Sequence, residues 1–347
     1  MAVSVPGAST LLSAARREVT RPTPVWFMRQ AGRYLPEYRA IREKHTLLGI
    51  CANPQLAAEV TLQPVWRLGV DAAIVFADIL LPLVPMGLDL AFVEGEGPLL
   101  RNPIRSPADI ARLGETDVAN ALAPVSEAVR LVRAALPPTV PVIGFAGAPF
   151  TVASYAIEGG SSRHFVETKR LMYEHPDAWN ALLAKLVRVL GEYLAAQVEA
   201  GAEVLQVFDS WAGVLSPSDY RRYVFPHTRA LFVQLGLLGV PVIHFGVNTG
   251  ELLPLLVEAG GDVIGLDWRL GLDDGWKRIG FERGVQGNLD PVALFAPAAE
   301  LEKRVRDIIA RAEGRPGHIF NLGHGLLPAT PVDAVRRVVD LVHSLTA

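Results

Sequence analysis

Unbroken runs of hydrophobic residues, most of them ending in a polar or charged group, recur along this chain. They cover residues 25–28, 72–78, 141–147, 203–210, 241–246, 263–267, 285–290 and 318–324. A continuous apolar run, as opposed to an alternating one, belongs to a strand buried on both faces, as in a parallel sheet. Helix signals separate the runs. Asn53-Pro54, Ser106-Pro107 and Thr330-Pro331 each pair a capping side chain with a first-turn proline, and the segment from Asp177 to Ala200 closes on Gly201. Eight strands, each followed by helix-forming sequence, predict an α/β fold: a (β/α)8 barrel with right-handed crossovers. A doubly wound open sheet is the structural alternative, but its dinucleotide version needs a glycine-rich phosphate loop after the first strand, and none is found there.

One piece breaks the pattern. Between Pro85 and Arg105, alternating Leu88, Leu90 and Phe92 followed by Gly95 and Gly97 predict a hairpin excursion from the barrel. No shift of composition and no Pro/Gly/Ser-rich linker divides the chain, so residues 1–347 are expected to form a single catalytic domain.

Composition narrows the class. Half of the residues are hydrophobic, enough for a sizeable core, and 33 Lys+Arg against 36 Asp+Glu leave no basic excess for a nucleic-acid partner. The one cysteine, Cys51, forbids an internal disulfide and a cysteine-rich zinc site and points to a reducing compartment. The N-terminus lacks the charged start and apolar core of a secretory signal. The most membrane-like stretch, from Ala72 to Val93, is broken by Asp78, Pro82, Pro85 and Asp89. A cytoplasmic protein without a membrane partner is expected.

Charge, though balanced overall, is concentrated locally. Arg29, Arg33, Arg39 and Arg42 fall within fourteen consecutive residues directly after the first apolar run. Guanidinium groups match carboxylate or phosphate edges, so such a loop points to an anionic ligand. Arg39 and Arg42 also have Glu37 and Glu43 close enough for surface pairing, whereas no acid lies between Arg29 and Arg33. In a barrel, ligand-binding groups gather at the C-terminal ends of the strands. By that rule the candidates are Arg29, Arg33, Asp78, Tyr155, Asp209, Ser210, His244, Asp267, Asn288, Asn321 and His324. His244 and Asp267 are expected to be satisfied in the core or behind the site.

The run MRQAGRYLPEY at residues 28–38 resembles the signature of the uroporphyrinogen decarboxylase family. Similar motifs follow at Phe76 to Leu80, at Gly144 to Thr151 with Tyr155, at Phe208 to Gly213 and at Asn321 to Gly325. The resemblance implies a carboxy-lyase that removes four acetate carboxyls from uroporphyrinogen III to give coproporphyrinogen III in haem biosynthesis. It implies substrate binding by Arg29, Gln30, Ala31, Gly32, Arg33, Asp78, Tyr155, Ser210 and His324, catalytic parts for Asp78 and Arg29, and a homodimer.

The chemistry agrees. Expelling carbon dioxide from an acetate arm leaves electrons on carbon that need a sink, usually a cofactor or a metal. A pyrrole protonated beside the arm is such a sink itself, so no cofactor and no metal is expected. The protein then supplies an anion for the transient cation, for which Asp78 is suited, and cations for the polycarboxylate tetrapyrrole, for which Arg29 and Arg33 are suited with Arg42 a further candidate. The rivals are a zinc methyltransferase of the same superfamily, whose thiolate ligands are missing, and a non-catalytic tetrapyrrole carrier.

Overall fold

Seven of the eight apolar runs become staves of one parallel sheet. The computed structural model describes residues 8–93, 97–114 and 117–347. Its strands in chain order are β1 (Ala73–Ile74), β2 (Leu90–Val93), β3 (Gly97–Leu100), β4 (Val142–Gly147), β5 (Val204–Asp209), β6 (Val242–Gly246), β7 (Val263–Gly265), β8 (Gly284–Gln286) and β9 (His318–Ile319). The sheet runs β1-β4-β5-β6-β7-β8-β9, every pair parallel. Neighbours in space are thus neighbours in sequence. A doubly wound sheet would reverse its strand order at a switch point, so that alternative is excluded. β2 and β3 pair antiparallel as the expected hairpin; Gly95 lies outside the described residues, as does the start of the chain.

The first apolar run departs from expectation. It is no regular strand, yet it closes the ring. Val25 bridges Phe320 in parallel, and the Phe320 N–H donates to the Pro24 carbonyl at 2.9 Å. On the other edge the Asp71 N–H donates to the Val25 carbonyl at 2.8 Å, while Asp71 Oδ2 accepts the Val25 N–H at 2.7 Å. The stave is irregular because side chains replace the ladder. Gln30 Oε1 accepts the Phe27 N–H at 3.1 Å, Asn321 Oδ1 accepts the Met28 N–H at 3.2 Å, and Gln30 Nε2 donates to the Ala72 carbonyl at 2.9 Å. All these groups are buried, so each must find a partner somewhere.

A polar string crosses the barrel interior. Trp26 Nε1 donates to Gln286 Oε1 at 2.9 Å, and Gln286 Nε2 donates to Gln206 Oε1 at 3.1 Å, joining the first stave to β8 and β5. Around it the strand residues are apolar and buried on both faces, β4 along its whole length. Helices cover the outside. Asn53 caps Pro54–Leu68, which ends on left-handed Gly69, and Ser106 caps Pro107–Arg112. Gly201, with φ 114°, follows Pro176–Glu199 as expected. Thr330 differs: its hydroxyl accepts the Leu327 N–H, and Pro331 stands at the start of Val332–Thr346. Among the described residues no helix is long and apolar enough to cross a membrane.

Gln30 thus serves as a brace of the closing stave. Gln30→Leu would keep the volume but orphan a buried N–H and a buried carbonyl, and should cost about 2–3 kcal/mol in chemical denaturation. A loss under roughly 0.5 kcal/mol would show that the brace is dispensable.

Candidate active site

The loops that follow the staves pack against one another with almost nothing between them, and glycines make this possible. A Cβ on Gly213, just past β5, would sit 2.3 Å from the Val247 carbonyl oxygen past β6. One on Gly323, past β9, would sit 2.3 Å from the Trp268 nitrogen past β7, and one on Gly325 would meet Arg29 Cδ at 2.4 Å. Asn248 and β7's end are joined as well, since the Asn248 N–H donates to Asp267 Oδ2. The C-terminal rim is therefore a belt of touching loops, and the side chain of Arg29 lies across the backbone of Gly325.

Arg29 has φ 61°, a left-handed conformation that side-chain-bearing residues rarely adopt. The turn holds because the Gln30 N–H donates to the Phe27 carbonyl at 3.0 Å and Tyr34 Oη donates to the Gln30 carbonyl at 2.7 Å. Gly32 is needed beside it, since a Cβ there would lie 2.9 Å from the Arg29 carbonyl oxygen. Ala31 and Gly32 are partly exposed, and their N–H groups donate to no backbone carbonyl among the described residues.

Asp78 follows β1 and turns the chain into the 3₁₀ segment Leu81–Leu83. Its Oδ1 accepts the Leu80 N–H at 2.9 Å, and Oδ2 has no hydrogen bond among the described residues. The residue is half-buried. Desolvation holds its carboxyl above the ordinary value of 3.8, with the Leu80 amide and the Arg29 charge pulling the other way. Tyr155, on helix Pro149–Glu158, is pushed up to about 12 by burial and the Asp78 charge, with Arg29 opposing. Its ring meets Trp211 edge-on at 4.8 Å.

His324 completes the group. Its Nδ1 accepts the Gly325 N–H at 2.8 Å, which leaves the proton of the neutral ring on Nε2. Burial, Arg29 and Arg269 push its pKa down to about 4. It is a neutral donor near pH 7. Arg29 therefore acts electrostatically on Asp78, Tyr155 and His324 alike, which brings these four predicted residues into one site.

The other candidates differ in what their side chains meet. Arg33 is exposed, and Ser210 is half-buried on the turn past β5, its hydroxyl without a hydrogen bond among the described residues. Gln30 was expected among the substrate ligands, but its side chain is spent on the barrel wall. Asp209 turns inward: Oδ1 accepts from Thr151 Oγ1 at 2.9 Å, and burial lifts its carboxyl to about 7. His244 stacks on Phe232 with Nδ1 at 3.3 Å from the Gly260 carbonyl, away from the rim. Asn288 ties down the carbonyls of Asp267 and Leu270, and Asn321 holds Met28 and Leu322.

Among the described residues Arg39 and Arg42 form no ion pair with Glu37 or Glu43, the surface pairing that their spacing allowed. Arg39 donates to the carbonyls of Arg33 and Tyr34 at 3.0 Å each, stapling the arginine loop, and Arg42 donates to the His45 carbonyl. Arg269 was missed. It follows a strand end by a few residues and is anchored by Asp267, so the rule that selected Asp267 could have reached it by reading two residues further. Cys51 is a buried apolar residue, and among the described residues no group of three or more His, Cys, Asp or Glu could hold a metal.

Comparison with known proteins decides the family. The model of the family described as uroporphyrinogen decarboxylase (URO-D) matches residues 7–345. The chain belongs to the uroporphyrinogen decarboxylase family. It is accordingly an enzyme, a carboxy-lyase. The uroporphyrinogen decarboxylase of Sorangium cellulosum is 57% identical over 334 residues, covering 96% of this chain and 95% of that one. That of Carboxydothermus hydrogenoformans is 54% identical over 338 residues and 97% of both. Among solved structures, a methyltransferase from Methanosarcina mazei superposes with TM-score 0.79 at 20% identity over 97% of this chain and 98% of that one. A B12-independent methionine synthase from Shewanella sp. W3-18-1 gives 0.57 at 12% identity over 99% of both. At these identities they share the fold.

In this member of the uroporphyrinogen decarboxylase family, Gly325 should matter as much as the charged residues. Its φ does not lie in the left-handed region, so alanine fits the backbone but drives Arg29 aside. Gly325→Ala should lower kcat/KM by up to about a hundredfold, the effect of misplacing a positioning group by about 1 Å, with the thermal midpoint little changed. Unchanged kinetics would show that Arg29 has room elsewhere.

Proposed function

We propose that this chain removes the four acetate carboxyls of uroporphyrinogen III as carbon dioxide, yielding coproporphyrinogen III without an exogenous cofactor. The observation that carries the reading is a desolvated carboxyl at Asp78, with one oxygen free, that lies within the electrostatic reach of Arg29 on a rim that also holds Tyr155 and His324.

In this reading a proton adds to the pyrrole carbon next to the acetate arm. The ring becomes an iminium-like cation, and Asp78 Oδ2 accepts from the pyrrole N–H and balances the charge. The C–C bond to the carboxylate then breaks, and its electron pair flows into the ring. Protonation of the exocyclic carbon completes the methyl group and loss of the proton first added to the ring carbon restores the pyrrole, so one proton net is consumed for each carbon dioxide released. A preorganised anion at the developing charge contributes roughly 3 to 4 kcal/mol.

Arg29 binds the carboxylate of the reacting arm and, by family resemblance, takes part in delivering the proton. An imidazole pushed down to about 4 carries no acidic proton at neutral pH, and a phenol near 12 gives one up reluctantly. His324 Nε2–H and Tyr155 Oη are therefore orienting donors, joined by Ser210 Oγ. The N–H groups of Ala31 and Gly32 and the Arg33 guanidinium take further carboxylates. Gln30 contributes through the turn it holds. A single domain over the whole chain, a homodimer and a cytoplasmic location complete the reading, supported by the family resemblance.

Anaerobic incubation with uroporphyrinogen III followed by chromatography tests it. Products with progressively fewer carboxyls support the enzyme; binding without such products favours a carrier. Asp78→Asn should lower turnover about a hundredfold. The sign for stability is opposite. Because the folded-state pKa of Asp78 is raised, the native state binds this proton more tightly, and stability falls as pH rises from the unfolded pKa through the folded one. At neutral pH that cost is present, so Asp78→Asn should be as stable as the parent or more so. A variant both active and less stable would remove Asp78 from this role.

A further inference from the structure

The loop after β7 carries a cation with no part in the reaction so far. Asp267 is almost fully buried, while Arg269 is about half exposed. Arg269 Nη1 donates to Asp267 Oδ2 at 2.9 Å, and the Arg269 N–H donates to Asp267 Oδ1 at 2.9 Å. The guanidinium also lies 4.1 Å from the centre of the Trp268 ring. A side chain held by its own preceding carboxylate and stacked on its neighbour has surrendered most of its rotamer freedom before any ligand arrives. Its Nε and Nη2 donors have no hydrogen-bond partner among the described residues.

The position is equally constrained. Asp267 accepts from the Asn248 N–H, the Asn288 side chain holds the Asp267 carbonyl, and Gly323 lets the Asp267-Trp268 backbone touch the loop of His324. The Trp268 ring stands edge-on to His324 with centroids 6.3 Å apart. Arg269 thus lies in the belt of loops, on the loop that packs against that of His324. The charges agree: His324 feels both Arg29 and Arg269, whereas Asp78 and Tyr155 feel Arg29 alone.

From this geometry we infer that Arg269 is a substrate-positioning residue that binds, at the rim, a carboxylate the reaction does not remove. The inference rests on the decarboxylase reading and adds to it the origin of part of the substrate affinity. Asp267 and Trp268 act through Arg269 by fixing its fork. The arm being cleaved sits at Asp78; a macrocycle held there places carboxylates of its other rings outward, where an immobilised guanidinium with free donors meets them.

The test compares the parent protein with Arg269→Gln and Arg269→Lys under anaerobic conditions. KM and kcat are measured with uroporphyrinogen III, and competitive inhibition with coproporphyrinogen III, which keeps only the retained carboxylates. Arg269→Gln should raise KM about tenfold and weaken coproporphyrinogen inhibition by a similar factor, with kcat within about twofold. The difference from the parent should shrink as salt is raised, and Arg269→Lys should recover part of it. Unchanged KM overturns the inference, as does a loss confined to kcat. A KM effect without an effect on coproporphyrinogen also overturns it, because the contact would then be to a removed arm. If the parent releases no carbon dioxide, the decarboxylase reading fails separately, and direct binding of coproporphyrinogen III to the same three proteins still decides the role of Arg269.

Discussion

A carboxyl taken partly out of water within the field of the Arg29 charge is the interaction on which this site depends. Desolvation makes Asp78 reluctant to carry its charge, while the Leu80 amide and Arg29 favour the charge. The result is a carboxyl with an unsatisfied oxygen in a poorly hydrated place. Ionised, such a group is only partly compensated in the resting protein, by the Leu80 amide and Arg29, and interacts strongly with a cation that forms next to it. A fully solvated aspartate would already have water there, and a fully paired one would already have a partner.

Holding Arg29 in that relation requires the whole rim. Its left-handed backbone is fastened by Gln30, which also closes the barrel through Phe27 and Ala72. Its side chain is seated on Gly325, and the loop of Gly325 is pressed by Gly323 against the loop after β7. Barrel closure and site geometry therefore share residues. The irregularity of the first stave follows from this: a regular ladder would engage the Phe27 and Met28 N–H groups that Gln30 and Asn321 use to aim the following turn.

Much of the architecture was readable because strands buried on both faces leave unbroken apolar runs, as at Val142–Gly147 and Val204–Asp209. The first run misled in kind though not in place, since three of its N–H groups go to side chains, those of Asp71, Gln30 and Asn321, and not to a neighbouring strand. The same limit explains Gln30, which sits in a ligand-like motif but is consumed by Ala72, and Arg39, whose acidic neighbours suggested a surface pair while two carbonyls of its own loop claimed it. That Asp78, Tyr155, His324 and Arg29 follow strand ends was legible from the sequence. Their mutual influence was not, because it depends on burial and on glycine contacts such as Gly325 against Arg29.

The electrostatic core of this account is open to direct titration. Infrared difference spectra of the parent against Asp78→Asn isolate the Asp78 carboxyl band, which can be followed with pH in the unliganded protein. The account predicts a midpoint above the ordinary 3.8, with the group a carboxylate at pH 7.5. A midpoint at or below 3.8 would mean that Asp78 is solvated or already paired, and a carboxyl still protonated at pH 7.5 would mean that it cannot serve as the anion; either result contradicts the account.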